Sequence, residues 1–256
     1  MDLKRSWNLL KIHDLIIIAL LVLSAYSMSL FGASILLSVV VIVMAAVLLD
    51  LAINYVKERK LLSPKSALIT GLILSSIIEG PLWLLVAAAA IAILSKHIIR
   101  IKGRHIFNPA NFALFVALFL PVSQSWWGTS NLLLVGILGL VVVFKLKRFH
   151  LALPFLAVHA IMMFVLLSFD LSQLSSHLLS GSIIFFAFYM LIEPVTSPAK
   201  MKGRIAFGVL AGIFAALLYV VWLPAMLVGA LFFADLCVPF INKFSVPGQA
   251  AADPRQ

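Results

Sequence analysis

Apolar runs of helix length, each closed by a short polar break, recur along the whole chain and leave few folds open to it. They lie at about 15–30, 35–56, 67–78, 82–99, 109–120, 132–144, 151–169, 178–192, 205–222 and 224–241. A straight helix crosses the hydrocarbon layer of a bilayer in about 20 residues. The runs at 67–78, 109–120 and 132–144 fall short of that, which is the pattern of broken or half-length helices. With 64% of its 256 residues hydrophobic and 11% charged, the chain carries more apolar surface than a water-soluble domain can bury. The expected fold is an all-α polytopic membrane protein of about ten transmembrane helices, a single integral membrane domain over 1–256. Lys4, Arg5 and Lys11 precede the first run, and no small-residue cleavage site follows it. That run is expected to stay as a first helix rather than be removed as a signal peptide.

The formal charge of +10 invites a nucleic-acid partner, but the placement of the 19 Lys and Arg explains it better. Lys4, Arg5 and Lys11 precede the first run; Lys57, Arg59, Lys60 and Lys65 follow the second; Lys96, Arg100, Lys102 and Arg104 follow the fourth. Lys145, Lys147 and Arg148 follow the sixth, Lys200, Lys202 and Arg204 the eighth, and Lys243 and Arg255 the tenth. All fall on one side of an even number of crossings, and the opposite connections at 123–131 and 168–177 carry none. Cytoplasmic loops collect Lys and Arg. A multi-pass protein of the cell membrane is expected, with both termini cytoplasmic, the lipid bilayer as partner and no nucleic acid.

The two halves look related. Ile78-Glu79-Gly80-Pro81 ends the third run and Ile192-Glu193-Pro194 ends the eighth, with the two glutamates 114 residues apart. Five segments per half is an odd number, so the duplication is inverted in the membrane, with repeat 1 at about 12–121 and repeat 2 at about 129–242. Inverted repeats put substrate sites near the midplane, at the interface between them.

Residues 189–204 read YMLIEPVTSPAKMKGR and concentrate the polar chemistry. Proline lacks a backbone donor and clashes with the preceding turn, so the helix stops near Glu193. Its freed carbonyls, the Glu193 carboxylate and the Thr196 and Ser197 hydroxyls then sit at or near membrane depth. Irregular backbone is tolerated there only inside protein or along a cavity, and a carboxylate there points to function. Glu193, with Glu79 as its counterpart, is the candidate ion pathway; a glutamate snorkelling from a helix end is the plainer alternative.

Asn108 is a good N-cap and Pro109 a good first helical residue, so the run at 109–120 opens on free N–H groups that suit a phosphate or a flavin carbonyl edge. Trp126 and Trp127 suit a membrane interface, and Thr129 and Ser130 beside them can cap a helix or hold a ligand. Ser66, Thr70 and Gly71 are small and favour close helix packing. His159 alone among six histidines lies well inside a run, and no second histidine is expected at matching depth for a bis-histidine haem. Asp50 and Asp235 are expected to pair with nearby lysines. The single Cys237 excludes an internal disulfide, and no metal site is expected.

Four stretches carry a family resemblance: SALITGLILS at 66–75, GRHIFNPA at 103–110, GTS at 128–130 and HLLSGSIIFFAFYMLIEPVTSPAKMKGRIAF at 177–207. In order and spacing they resemble the D subunit of Rnf electron-transport complexes and the B subunit of the sodium-pumping NADH:quinone reductase. The EPVTSP block is similar to that family's DPVTSP, with Glu193 where aspartate is usual. The resemblance implies ten helices in two inverted halves and a flavin, FMN or riboflavin, bound near Asn108, Pro109, Thr129, Ser130, Thr196 and Ser197. It also implies other subunits of a membrane redox complex that couples electron flow to Na⁺ or H⁺ movement. Many members carry FMN esterified to a threonine in a Ser-Gly-Ala-Thr type motif. Residues 120–127 hold no such motif, so the flavin is expected to be non-covalent, in a short and divergent member. Two other readings stand beside this one: a small-solute or ion transporter or channel with the same repeat and no redox chemistry, and a scaffold that docks redox subunits.

Overall fold

The computed structural model describes residues 11–32, 34–60, 62–101 and 103–245. The charged positions Lys4, Arg5, Lys102 and Arg255 therefore lie outside the described residues. Eleven α-helices run through the described chain. They are α1 (Ile12–Phe31), α2 (Ser34–Glu58), α3 (Lys65–Ser75), α4 (Leu82–Ile98), α5 (Pro109–Ala117) and α6 (Leu132–Leu146), then α7 (Phe149–Leu166), α8 (Leu171–Leu178), α9 (Gly181–Phe185), α10 (Met201–Val221) and α11 (Met226–Ser245). Four two-residue strands pair antiparallel: β1 (Ile78–Glu79) with β4 (Ser123–Gln124), and β2 (Arg100–Ile101) with β3 (Arg104–His105).

Each of the ten apolar runs coincides with one helix, and α8 is the addition. It occupies a connection that its polar residues mark as a loop. Asp170 explains it: one carboxylate oxygen accepts from the N–H groups of Ser172 and Gln173 at 2.8 and 3.1 Å, a well-formed N-cap. Five helices are long and apolar enough to cross a membrane, or six if α8 and the segment after it, bent by 51°, form one span. The chain is an all-α membrane protein, and helix length alone supports five or six crossings where the sequence suggests about ten.

The short helices α3, α5 and α9 are enclosed, whereas α8 has no buried residue. In α3 every residue from Thr70 to Ser75 is buried. In α5 the buried side chains include Asn111, Ala113, Leu114 and Ala117. Helix α9 continues into a π-helical turn, Phe186–Met190, whose five residues are all buried. The longer helices surround them and keep apolar side chains outward, Ile161, Val165, Val220 and Phe240 among them. Apolar area left in water costs roughly 25 cal/mol per Å². A belt of such residues is stable only against lipid or protein.

Helix α5 packs on α3 and α4 and on α11. Helix α10 packs on α7 through small residues: a Cβ on Gly208 would strike the Leu151 carbonyl, and one on Gly212 would lie 3.0 Å from the Phe155 carbonyl. Polar ties sit at the helix ends. Asp50 of α2 takes Lys96 Nζ at 3.0 Å and His97 Nε2 at 2.8 Å from α4, as expected of an aspartate near lysines. Asp14 of α1 takes Lys65 Nζ of α3 at 2.5 Å.

Candidate functional site

Pro194 starts the site. In a continuing helix its N–H would bond the carbonyl four residues back, that of Met190, and proline has no N–H. The structure supplies a substitute: Asn108 Nδ2 donates to the Met190 carbonyl at 3.2 Å. The Asn108 Oδ1 accepts from the Asn111 N–H at 3.1 Å, capping α5. One side chain thus satisfies the broken end of one helix and the start of another. The π turn belongs to the same break, with the Leu191 N–H donating to the Phe186 carbonyl at 2.9 Å; such turns concentrate at functional sites.

Two carboxylates converge here. Asp235 of α11 is fully buried, and its Oδ2 accepts from the Asn108 backbone N–H at 3.0 Å. Glu193 lies within electrostatic range of it. Glu193 Oε1 accepts from His105 Nε2 of β3 at 3.3 Å. Three oxygens of this group are buried without a hydrogen-bond partner: Glu193 Oε2, Asp235 Oδ1 and Asn111 Oδ1. A buried unpartnered oxygen costs about 1–3 kcal/mol, so each of the three is open to a cation, a proton or water. The Asn111 amide donates to the Val228 carbonyl at 2.9 Å, fixing the side chain between α5 and α11. Beside them Phe107, Phe232 and Phe115 stack with centroids 4.8 and 4.1 Å apart and ring planes within 6°.

A cleft of about 720 Å³ adjoins the site through His105. Arg104, His105, Thr196, Ser197, Asn242 and Lys243 are among its walls. The loop after Glu193 turns back on itself, with the Ser197 N–H donating to the Glu193 carbonyl at 3.2 Å. Arg148 Nη1 donates to Ser197 Oγ at 3.0 Å. Arg204 donates to the carbonyls of Pro198 and Ala199, each at 3.1 Å. Burial, and then the neighbouring Arg204 charge, lowers the pKa of the Arg148 guanidinium.

Of the sequence candidates, Asn108, Pro109, Thr196, Ser197 and Glu193 come together here. Thr129 and Ser130 do not. Thr129 Oγ1 donates to the Trp126 carbonyl at 2.8 Å, and Ser130 Oγ lies 3.2 Å from Ser27 Oγ. They sit against Gly181, the first residue of α9, whereas Glu193 follows the far end of the same segment, roughly 18 Å away at 1.5 Å per residue. Glu79 lies on β1, exposed, in register with Ser123 and apart from Glu193. The N–H groups at the start of α5, read from sequence as free for a ligand, are committed: that of Asn108 to Asp235 and that of Asn111 to the Asn108 side chain.

Two sequence expectations are corrected. Asp235 does not pair with a lysine; it faces inward, onto the start of α5. Its position near a helix end resembles that of Asp50, and only the packing of α11 on α5 distinguishes the two. His159 does have a histidine facing it. Its Nε2 lies 3.0 Å from Nε2 of His177, carried there by α8, the helix that polarity hides. The rings touch directly, so no haem iron fits between nitrogens that close. His105 and Asn111 complete the site and lie within or beside the GRHIFNPA stretch, three residues on either side of Asn108. Among the described residues no cluster of three or more metal-ligating side chains is present.

A model of the NQR2, RnfD, RnfE family matches the chain over residues 3–127 and 112–251. The D subunit of the ion-translocating oxidoreductase complex of Methanosarcina acetivorans is 26% identical over 259 residues, which cover 90% of this chain and 88% of that protein. The protein of the same description from Haemophilus ducreyi is 23% identical over 319 residues, covering 91% and 92%. Its namesake in Vibrio atlanticus is 30% identical over 149 residues, covering 55% of this chain and 41% of that protein. The match to the namesake in Actinobacillus pleuropneumoniae spans 38% of the relative's length.

Proposed function

The chain belongs to the NQR2, RnfD, RnfE family, and from that premise we propose that it is an integral membrane subunit of a redox-driven, ion-translocating complex. In this reading the Glu193–Asp235 group lies on the ion path, and a non-covalent flavin occupies the adjoining cleft. The observation that carries it is the set of buried, unpartnered oxygens of Glu193, Asp235 and Asn111, with Glu193 tied through His105 to the wall of the cleft.

The residues present suit a flavin. The cleft's volume falls within the roughly 300–1,000 Å³ of small-molecule sites. Thr196, Ser197 and Asn242 line it with groups that donate and accept. A bound flavin supplies one- and two-electron transfer. The chain's own residues orient and charge-balance: Asn108 holds the helix break open, and His105 holds one Glu193 oxygen while the other stays unpartnered. Two acidic groups in mutual range can share one proton or one monovalent cation, and either changes their charge by one.

The reading includes two inverted five-helix halves with cytoplasmic termini. Its support is the spacing of matching breaks: Glu79 and Glu193 are 114 residues apart, and Pro109 and Pro224, each opening a fifth segment, are 115 apart. The Asn111–Val228 bond then joins equivalent helices of the two halves. The one-sided Lys and Arg support the orientation.

A second reading, an ion or small-solute transporter without redox chemistry, is favoured by the same unpartnered oxygens. The visible spectrum of the protein purified in detergent separates the two, since a bound flavin is yellow. Glu193→Gln keeps shape and hydrogen bonding and removes the charge. The expected outcome is normal insertion with coupled ion movement reduced at least tenfold, about the effect of losing 1.4 kcal/mol at the rate-limiting step. Full activity in a normally expressed Glu193→Gln protein would remove Glu193 from the path.

A further inference from the structure

Four cations surround the mouth of the cleft, and among the described residues none of them makes an ion pair with an acid. Arg104 and Lys243 line it, Arg148 reaches it through Ser197, and Arg204 holds the loop that forms its wall. The ion pairs of the described chain involve Lys65, Lys96, His97 and His105 instead. Arg148 and Arg204 are close enough to raise each other's energy, and half-buried Arg148 has only a serine hydroxyl for a partner. A guanidinium paired with a neutral oxygen, beside a second guanidinium, is a receptor for a doubly charged oxyanion.

Thr196 points the same way. It is 3% exposed, lines the cleft, and no hydrogen bond satisfies its hydroxyl. Its oxygen is not among the buried unpartnered atoms, so it faces the open cleft, where a ligand can reach it. The neighbouring Ser197 hydroxyl receives the Arg148 N–H and keeps its own proton to give. Two hydroxyl donors and cationic donors on one wall match the acceptor oxygens of a phosphate. The volume is several times that of a bare phosphate ion, which leaves room for an organic group on the phosphate.

We propose that this cleft is a phosphate-ester site, with the phosphate seated on the Thr196 and Ser197 hydroxyls and the Arg148 guanidinium, and with Arg104 and Lys243 at its rim. The site shares its cleft with the flavin reading but not its redox chemistry. If the ligand is a flavin, it is the mononucleotide and not riboflavin. A phospholipid headgroup entering from the membrane surface presents the same chemistry.

FMN and riboflavin differ only in the phosphate, so the full chain purified in detergent is titrated with each and flavin fluorescence is followed. The expected result is FMN bound at least about tenfold more tightly, with the gap closed in Ser197→Ala and Arg148→Gln and narrowed in Arg104→Gln. Arg104 is exposed, so its variant stays readable if Arg148→Gln does not fold. If neither flavin binds, the melting temperature is followed with inorganic phosphate and in nanodiscs with and without phosphatidylglycerol. A rise with phosphatidylglycerol that the variants lack assigns the phosphate to lipid, keeps the inference and removes the flavin reading, whereas a rise with inorganic phosphate alone shows a bare anion site and overturns the ester. Equal affinity for FMN and riboflavin keeps the flavin reading and overturns the inference. So does a response to phosphate and anionic lipid that is absent, or the same in wild type and variants; the cations would then serve topology alone.

Discussion

Asn108 shows how one side chain organises a membrane site. Its amide nitrogen takes the carbonyl that Pro194 leaves without a helical donor, its oxygen caps α5, and its backbone N–H holds Asp235. Asn108→Ala removes the first two bonds together. The loss of a cap and of a buried carbonyl's partner is expected to lower stability by about 2 kcal/mol. Thermal unfolding in detergent checks this. Asn108→Asp keeps the cap but adds a third acid beside Asp235 and Glu193, so it is expected to be less stable than the cap alone would suggest. An Asn108→Ala protein with an unchanged melting temperature would mean that water replaces both bonds.

At the scale of elements, two packings are open to test. Gly208 lets α10 lie directly on the backbone of α7. Gly208→Ala forces the helices apart and is expected to cost about 1–3 kcal/mol by overpacking, read as a lower melting temperature; the same change at Gly136, where an added Cβ meets nothing within 4 Å, is expected to be neutral. Helix α8 depends on its cap. The Gln173 backbone N–H, then the Gln173 amide and the Ser172 N–H, hold the Asp170 carboxylate below its ordinary pKa. A depressed carboxylate contributes stability that is complete above the unfolded pKa and is lost as pH falls through the folded one. Amide exchange in 171–178 is therefore expected to be slow at neutral pH and to quicken below the ordinary aspartate range. Exchange that is independent of pH after correction for intrinsic rates would show that α8 is held by its contacts with α7 instead.

For the molecule as a whole, the open question is which face is cytoplasmic. In the proposed orientation, argued from one-sided Lys and Arg, the 195–204 loop and the cleft face the cytoplasm. Lys202 is exposed on that loop, at the start of α10. Lys202→Cys in a Cys237→Ala background is expected to react with a membrane-impermeant maleimide only after permeabilisation. Labelling in intact cells would invert the whole arrangement, and with it the side from which the cleft takes its ligand.

The membrane environment, the ten apolar helices and the polar break at Glu193 are legible from the order of residues alone. Each of these is written locally, in runs of apolar residues and in a proline that cannot donate. Asn108, Thr196 and Ser197 were legible as candidates for the same reason: caps and turns are read from neighbours in the chain. The tertiary structure decided which candidates share a site. Thr129 packs against one end of the 181–192 segment and Glu193 follows the other, and no local pattern carries that separation. Asp50 and Asp235 look alike in sequence; one meets Lys96 across α2 and α4, and the other meets a helix start across α11 and α5. His159 and His177 meet because a short capped helix folds back, although each sits in its own stretch without a visible partner. Long-range pairings of this kind depend on how helices pack, and packing is set by the summed shapes of many side chains rather than by any one motif.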